Sequence, residues 1–165
     1  MKTLNRFLNL VLVALVIYVP KALATDVSGI LSSDTTWSLS DSPYSVTGDI
    51  QIPSGVKLTI ESGVVVQFEG AYEILVKGSV AVNGTQAQPV VFQSNTAGTS
   101  SQATIFHFKE TDLSLSSMSH VKFSDATYAI RIGGELNYNT LNVNTVGINN
   151  GDVRADKGNA NGVGK

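Results

Sequence analysis

The chain contains no cysteine, so disulfides cannot stabilise it. After residue 24 no stretch carries apolar residues at helical spacing over three turns, which argues against a helical domain. Basic residues are also few, because removal of Lys2, Arg6 and Lys21 leaves eight basic against thirteen acidic side chains and a net charge of −5. That balance argues against a nucleic-acid partner, which would require a basic surface. A small domain without disulfides needs a continuous apolar core or a metal ion.

Residues 1–24 have the pattern of a secretory signal peptide. Lys2 and Arg6 form a basic start, residues 8–19 are an apolar run interrupted only by Asn9, and Ala22-Leu23-Ala24 matches a small-residue cleavage site. The run is too short and wrongly flanked for a transmembrane span. We therefore expect a secreted protein, extracellular or periplasmic, that has no membrane span once the signal is removed.

The rest of the chain alternates apolar and polar residues, as half-buried strands do. The runs are short and are separated by turn sequences such as Pro53-Ser54-Gly55, Ser62-Gly63 and Asn83-Gly84. Many short strands at even spacing fit a sandwich or a β-solenoid. Internal repeats favour the solenoid, in which each turn buries its apolar row against the next turn.

Two internal repeats support that choice. The segment from Leu58 to Val82 resembles the segment from Leu113 to Tyr138. The offset between matching residues is constant as far as Phe68 and Phe123, and it is larger by one residue after an extra residue near Thr127. Shorter steps align Val121 with Val143 and Ile130 with Ile148. Steps of about 20 residues suit one turn of a three-sided β-helix. We interpret the longer repeat as two or three such turns.

Three segments of the sequence resemble exported parallel β-helix proteins. Residues 48–68 (GDIQIPSGVKLTIESGVVVQF), 74–85 (ILVKGSVAVNGT) and 89–94 (PVVFQS) are similar to the opening turns of the right-handed, pectin-lyase-like group, with Ser62 where proline is usual. The resemblance covers residues 27–152 and implies an all-β, single-stranded right-handed parallel β-helix. It does not imply one activity, because this fold is found in lyases, hydrolases and adhesins alike.

The sequence thus predicts four segments. Residues 1–24 are the signal peptide, 25–45 an N-terminal cap, 46–152 the β-helix and 153–165 a flexible tail. Trp37 is expected to pack within the cap rather than to stack on sugars. The predicted β-helix ends without an apolar cap, which favours a short solenoid that is incomplete at its C-terminal end.

Few side chains are candidates for chemistry. Glu110 and Asp112 are close paired acids, as a hydrolase on this fold would need, and are the candidate catalytic residues. Tyr72 and Tyr128 fall on each other in the repeat and are the candidate ligand-binding residues. His107 and His120 are expected to face solvent, and the sequence suggests no metal site.

The outward positions do not repeat, so the pattern specifies an interior rather than an activity. We expect an exported non-catalytic module, adhesin-like or carbohydrate-contacting, at the cell surface or secreted. Its expected partner is a polysaccharide or a cell-surface component, with no cofactor other than a possible structural calcium. The alternative is a polysaccharide lyase or glycoside hydrolase, or a truncated remnant of one. A groove that gathers Glu110, Asp112 and a lysine would favour that alternative.

Overall fold

The computed structural model describes residues 23–94, 104–126, 128–133, 142–149 and 152–155, the last two as backbone only. Within these residues thirteen strands form a single sheet, and every strand pairing is parallel. The strands are β1 (Thr25–Ile30), β2 (Thr35–Trp37), β3 (Tyr44–Ile52), β4 (Lys57–Ile60), β5 (Val65–Phe68), β6 (Glu73–Val76), β7 (Ser79–Asn83), β8 (Val90–Ser94), β9 (Thr104–Lys109), β10 (Ser117–Ser124), β11 (Tyr128–Gly133), β12 (Asn142–Asn149) and β13 (Asp152–Ala155). Two short 3-10 helices, η1 (Leu39–Asp41) and η2 (Leu113–Leu115), precede β3 and β10.

The strands stack into the three faces of a solenoid, and we call each full turn of this solenoid a coil. Face A contains β2, β4, β7 and the first parts of β10 and β12. Face B contains the first part of β3, then β5, β8 and the second parts of β10 and β12. Face C contains the second part of β3, then β6, β9, β11 and β13. The predicted parallel β-helix is therefore confirmed.

The coils differ in length, as the register shows. On face B, Tyr44 lies beside Val66, which lies beside Phe92, so the second of these coils is slightly longer than the first. On face C, Ile74 lies beside Phe106, and this step is longer than either of those on face B. Phe106 in turn lies beside Ile130. The match of Ile74 to Ile130 therefore spans two coils, which agrees with the two or three turns that the sequence predicted.

Other parts of the repeat are wrong in register. Phe68 pairs with Ser94, whereas Phe123 pairs with Phe92. Phe68 and Phe123, which the repeat matches, therefore lie at different positions along the strands of face B. In the shorter repeat, Val121 pairs with Val146 rather than with Val143. Coils of unequal length cause both errors, because a fixed offset stays in register only when every connection has the same length.

The interior is built from the alternating apolar residues. Strands such as β5 and β6 bury every second side chain, as a strand with one apolar face requires. Phe106 lies at the centre of an aromatic cluster, with ring centroids 5.1 Å from Phe92 and 6.3 Å from Phe123. Phe92 and Phe123 stack at 5.3 Å. This continuous core replaces the missing disulfides.

The segment predicted as an N-terminal cap contributes strands to the coil. β1 and β2 lie within residues 25–45 and pair in parallel with β3 and β4. At the other end, β13 extends to Ala155, into the segment predicted as a flexible tail. The stacked strands thus extend beyond residues 46–152 at both ends. Residues 1–22 of the predicted signal peptide lie outside the described residues. No helix in the described ranges is long and apolar enough to cross a membrane.

Trp37 is buried, with 3% of its surface exposed, and stacks on Tyr44 at 5.0 Å. The expectation that it packs within this part of the fold is confirmed. The Tyr44 hydroxyl accepts a hydrogen bond of 2.8 Å from the Ser38 N–H. Burial raises the pKa of Tyr44 above 10.0, against the opposing effect of the Ser38 hydrogen bond.

The raised pKa of Tyr44 predicts a pH dependence of stability. Because the folded phenol keeps its proton at a pH where the unfolded one loses it, the stabilisation is complete below pH 10 and falls as pH rises to the folded value. Tyr44→Phe should lower the free energy of unfolding by about 1 kcal/mol at neutral pH through the lost hydrogen bond. It should also flatten the decline that sets in as pH rises above 10, as denaturant titrations would show. A decline in Tyr44→Phe as steep as in the unsubstituted protein would contradict this account of the buried phenol.

Candidate functional site

A groove opens at the corner where the chain passes from face C to face A. It has a volume of about 510 Å3. We call it the corner groove, and its lining residues are Ser54, Gly55, Val56, Lys57, Lys77, Gly78, Ser79, Glu110, Thr111, Asp112 and Leu115. Three successive coils contribute to it, because the turns that follow β3, β6 and β9 stack on one another.

Close packing of backbone forms the floor of the groove. A Cβ atom at Gly78 would lie 2.1 Å from the Val56 carbonyl oxygen and 2.3 Å from that of Pro53, so only glycine fits. The buried Thr111 hydroxyl donates a hydrogen bond of 2.6 Å to the Gly78 carbonyl oxygen. Buried Ser116 accepts one of 3.0 Å from the Val80 N–H. These bonds fix the position of the segment that carries Glu110 and Asp112.

Charged side chains lie along the rim. Lys77 Nζ is 3.4 Å from Glu110 Oε2, and Lys109 Nζ is 3.9 Å from Glu110 Oε1. The side chains of Lys77 and Glu110 are 35% and 53% exposed, so solvent weakens this pair to at most about 1 kcal/mol. Lys57 is exposed, and its ammonium has no partner in the described part of the chain.

Glu110 has a backbone conformation that disfavours its own side chain. Its φ angle is +54°, in the left-handed region, which costs about 1–2 kcal/mol for a residue with a Cβ atom. The exposed pairs with Lys77 and Lys109 contribute at most about 1 kcal/mol each, which is no larger than that cost. Glycine or asparagine would suit the backbone better, so stability does not explain why glutamate occupies this position.

Both predicted catalytic residues line the groove, yet they are engaged differently. Asp112 Oδ1 accepts hydrogen bonds from the Ser114 N–H at 2.9 Å and from the Ser114 hydroxyl at 2.7 Å. Asp112 thus caps η2, the role that aspartate has at the start of a helical turn. Glu110 points its carboxylate between two lysines. The structure therefore brings Glu110, Asp112 and a lysine together, which is the arrangement that would favour an enzyme.

The predicted ligand-binding tyrosines do not form an aligned pair. Tyr72 is half-buried and packs against the core. Tyr128 lies beside Thr104, which lies beside Glu73, so the strand register aligns Tyr128 with Glu73 rather than with Tyr72. The one-residue shift arises at the bulge in face C where β9 carries the extra residue Ile105. The equivalence read from the sequence is wrong by one position.

His107 makes a contact that the sequence did not reveal. Its Nδ1 atom lies 3.1 Å from Glu73 Oε2, and its side chain is only 14% exposed rather than facing solvent freely. Its neighbours on the adjoining strands are Leu75 and Arg131. Glu73 and His107 are distant in sequence and meet because β6 and β9 are neighbours in face C, which no local pattern indicates. His120 bonds to the Ser119 hydroxyl at 2.9 Å.

The described residues contain no group of three or more histidine or acidic side chains that could hold a metal ion. Calcium requires six to eight oxygen ligands, and in the groove the Asp112 and Glu110 oxygens already engage Ser114 and the lysines. The groove residues thus do not fit a calcium ion.

Comparison with known proteins places this fold. Residues 29–105 match the family described as "Pectate-lyase like beta helix domain". A stretch of 71 residues, 42% of the chain, is 37% identical to Protein bark beetle of Drosophila melanogaster. The chain spans only 2% of the length of that relative. No solved structure matches the chain.

The family match covers the coils from β1 to the start of β9, including most of the groove floor. In the same residues, parallel strands stack in three faces around an apolar interior. Residues 29–105 are therefore similar to a pectate-lyase-like β-helix domain, and the described residues form a parallel β-helix.

Proposed function

We propose that this protein is an exported, non-catalytic β-helix module that contacts carbohydrate at the corner groove, in the manner of an adhesin. One observation carries the proposal. The charged groups of the groove form an exposed array of hydrogen-bond donors and acceptors, and the acids among them are engaged with neighbouring residues.

Carbohydrate is supported by the family and by the surface. The pectate-lyase-like family is carbohydrate-related, and the groove is open rather than enclosed, as a long polymer requires. Lysine and glutamate side chains offer hydrogen bonds to sugar hydroxyls. Leu115, which is 63% exposed, adds an apolar surface at the same place.

The engagement of the acids supports a non-catalytic role. A glycosidase needs one carboxylic acid to protonate the leaving group and a second carboxylate as base or nucleophile. Asp112 is committed to capping η2, and Glu110 is paired with Lys77. A lysine that donates to a carboxylate is not available to abstract a proton, as a lyase would require.

Export is supported by the N-terminal sequence. The basic start, the apolar run of residues 8–19 and the small residues at 22–24 together have the pattern of a secretion signal. The absence of cysteine agrees with a chain that relies on its apolar core in any compartment.

A second candidate is a polysaccharide-active enzyme. It is favoured by one observation, the convergence of Glu110 and Asp112 with Lys57 and Lys77 in a single groove. In such an enzyme Glu110 would be the acid or base, since it is the more exposed of the two carboxylates.

The test is a combined binding and turnover measurement on the chain from Thr25. A glycan array should show binding to at least one polysaccharide. Incubation with the bound polysaccharide should release neither unsaturated products, detected by ultraviolet absorbance, nor reducing ends. Turnover that disappears in Glu110→Ala or Asp112→Asn would overturn the non-catalytic role in favour of the enzyme. Absence of any glycan binding would overturn the carbohydrate role.

A further inference from the structure

We infer that the corner groove is a subsite for a neutral sugar with a pair of adjacent hydroxyl groups, held by the Glu110 carboxylate and by lysine ammonium groups. The inference rests on the proposed function and specifies its ligand. It assigns Glu110 to recognition rather than to stability.

The strained backbone of Glu110 is the first reason. A φ of +54° disfavours glutamate, and its ion pairs are too exposed to explain its presence. Residues held in such conformations concentrate at ligand sites, where the orientation of the side chain matters more than its cost. Here the conformation places the carboxylate between Lys77 and Lys109 at the rim of the groove.

The pattern of donors and acceptors is the second reason. A carboxylate has two oxygens that can accept hydrogen bonds from two neighbouring hydroxyl groups at once. Lys77, at 3.4 Å from that carboxylate, can donate to a hydroxyl oxygen, and the unpartnered ammonium of Lys57, which also lines the groove, can donate to another. Acceptor and donors side by side match the two roles of a sugar hydroxyl.

Charge selects a neutral sugar over an acidic one. The charged side chains that line the groove balance, with Lys57 and Lys77 against Glu110 and Asp112, so a carboxylate-bearing sugar gains no net attraction there and meets like charge at Glu110. The chain from Thr25 carries a net charge of −5, which also repels a polyanion. Exposed Leu115 suits the C–H face of a neutral ring, which completes a subsite with an apolar wall and a polar one.

The experiment compares oligosaccharides and variants by titration calorimetry. Neutral hexasaccharides with adjacent hydroxyl groups are titrated against a galacturonate hexasaccharide of equal length. We expect the neutral ligands to bind at least tenfold more tightly to the unsubstituted protein. Glu110→Gln should weaken that binding at least tenfold. Lys57→Met should weaken it several-fold, whereas the matched control Lys122→Met, an exposed lysine outside the groove, should leave it unchanged.

Stability provides the second readout. Glu110→Gly relieves the left-handed strain, so its thermal unfolding midpoint should rise by a few degrees while neutral-sugar binding is lost. Tighter binding of the galacturonate, or full binding by Glu110→Gln, would overturn the neutral subsite and leave the carbohydrate role intact. An unchanged or lower midpoint in Glu110→Gly would overturn the recognition role of Glu110. Absence of binding to every oligosaccharide would overturn the proposed function together with the subsite.

Discussion

Replacing Gly78 with alanine should destabilise the protein more than the same replacement at Gly55, the other glycine that lines the groove. The new Cβ would lie 2.1 Å and 2.3 Å from the carbonyl oxygens of Val56 and Pro53. Both atoms are backbone, and the Val56 oxygen accepts the Ser79 N–H at 3.0 Å while the Pro53 oxygen accepts the Val56 N–H at the same distance. Neither can move without breaking a hydrogen bond. We expect a loss of at least about 3 kcal/mol in the free energy of unfolding.

Gly55→Ala is the matched control for this prediction. Gly55 has a φ of +80°, so alanine is strained there, but no atom lies within 4 Å of its added Cβ. The expected cost is about 1–2 kcal/mol. Urea titration followed by circular dichroism would measure both variants. A Gly78→Ala protein as stable as Gly55→Ala would show that the turns of successive coils do not pack as closely as described. Glycan binding should fall with Gly78→Ala even where the chain remains folded, because the floor of the corner groove must move.

Truncating Phe106 to alanine should remove the centre of the apolar interior. Its ring is fully buried and contacts the rings of Phe92, Phe108 and Phe123. Loss of a buried phenylalanine leaves a cavity that the parallel coils cannot close, and typically costs about 3–5 kcal/mol. Since small domains have only about 5–15 kcal/mol of stability, the variant should be near the limit of folding.

Leu115→Ala tests the same idea on the surface. Leu115 is 63% exposed, so its truncation should cost less than about 0.5 kcal/mol. Phe106→Leu should fall between the two variants, because leucine fills part of the cavity. Denaturant midpoints measured for the three proteins should follow that order. Equal midpoints for Phe106→Ala and Leu115→Ala would contradict a core centred on the aromatic cluster.

The interior of the fold could be predicted from the sequence because burial follows a period of two in strands such as β4, β5, β6 and β8. Residues such as Leu58 and Ile60 alternate with polar neighbours, and the structure buries both. The register of distant coils could not be predicted as well. Connections of different length, and the bulge at Ile105, shift one coil against the next without changing the alternation within a strand. For this reason Ile74 matched Ile130 correctly while Tyr72 and Tyr128 were misaligned.

The candidate site could be predicted only where its residues are neighbours in sequence. Glu110 and Asp112 are separated by a single residue, and both line the groove. Lys77, which pairs with Glu110, lies one coil earlier in the chain, and the contact depends on the stacking of β6 and β9. The left-handed φ of Glu110 has no sequence signal either, because glycine and asparagine are the residues that normally mark such a position. The pair of His107 and Glu73 was missed for the same reason as the lysine.

The stacking of successive coils brings the groove residues together, and engineered cysteines can test it because the chain has none of its own. Gln67 pairs directly with Gln93 on face B, whereas Lys122 lies one strand further along the stack, beside Val91. Neighbouring strands are about 4.8 Å apart, within the Cα separation of a disulfide, and strands two apart are not. Mild oxidation of Gln67→Cys/Gln93→Cys should give an intramolecular disulfide, seen as loss of free thiol in the intact monomer, and Gln67→Cys/Lys122→Cys should remain reduced. A disulfide in the second pair and none in the first would show that the partners in the long sequence repeat are the true neighbours, which would contradict the coil and the groove built on it.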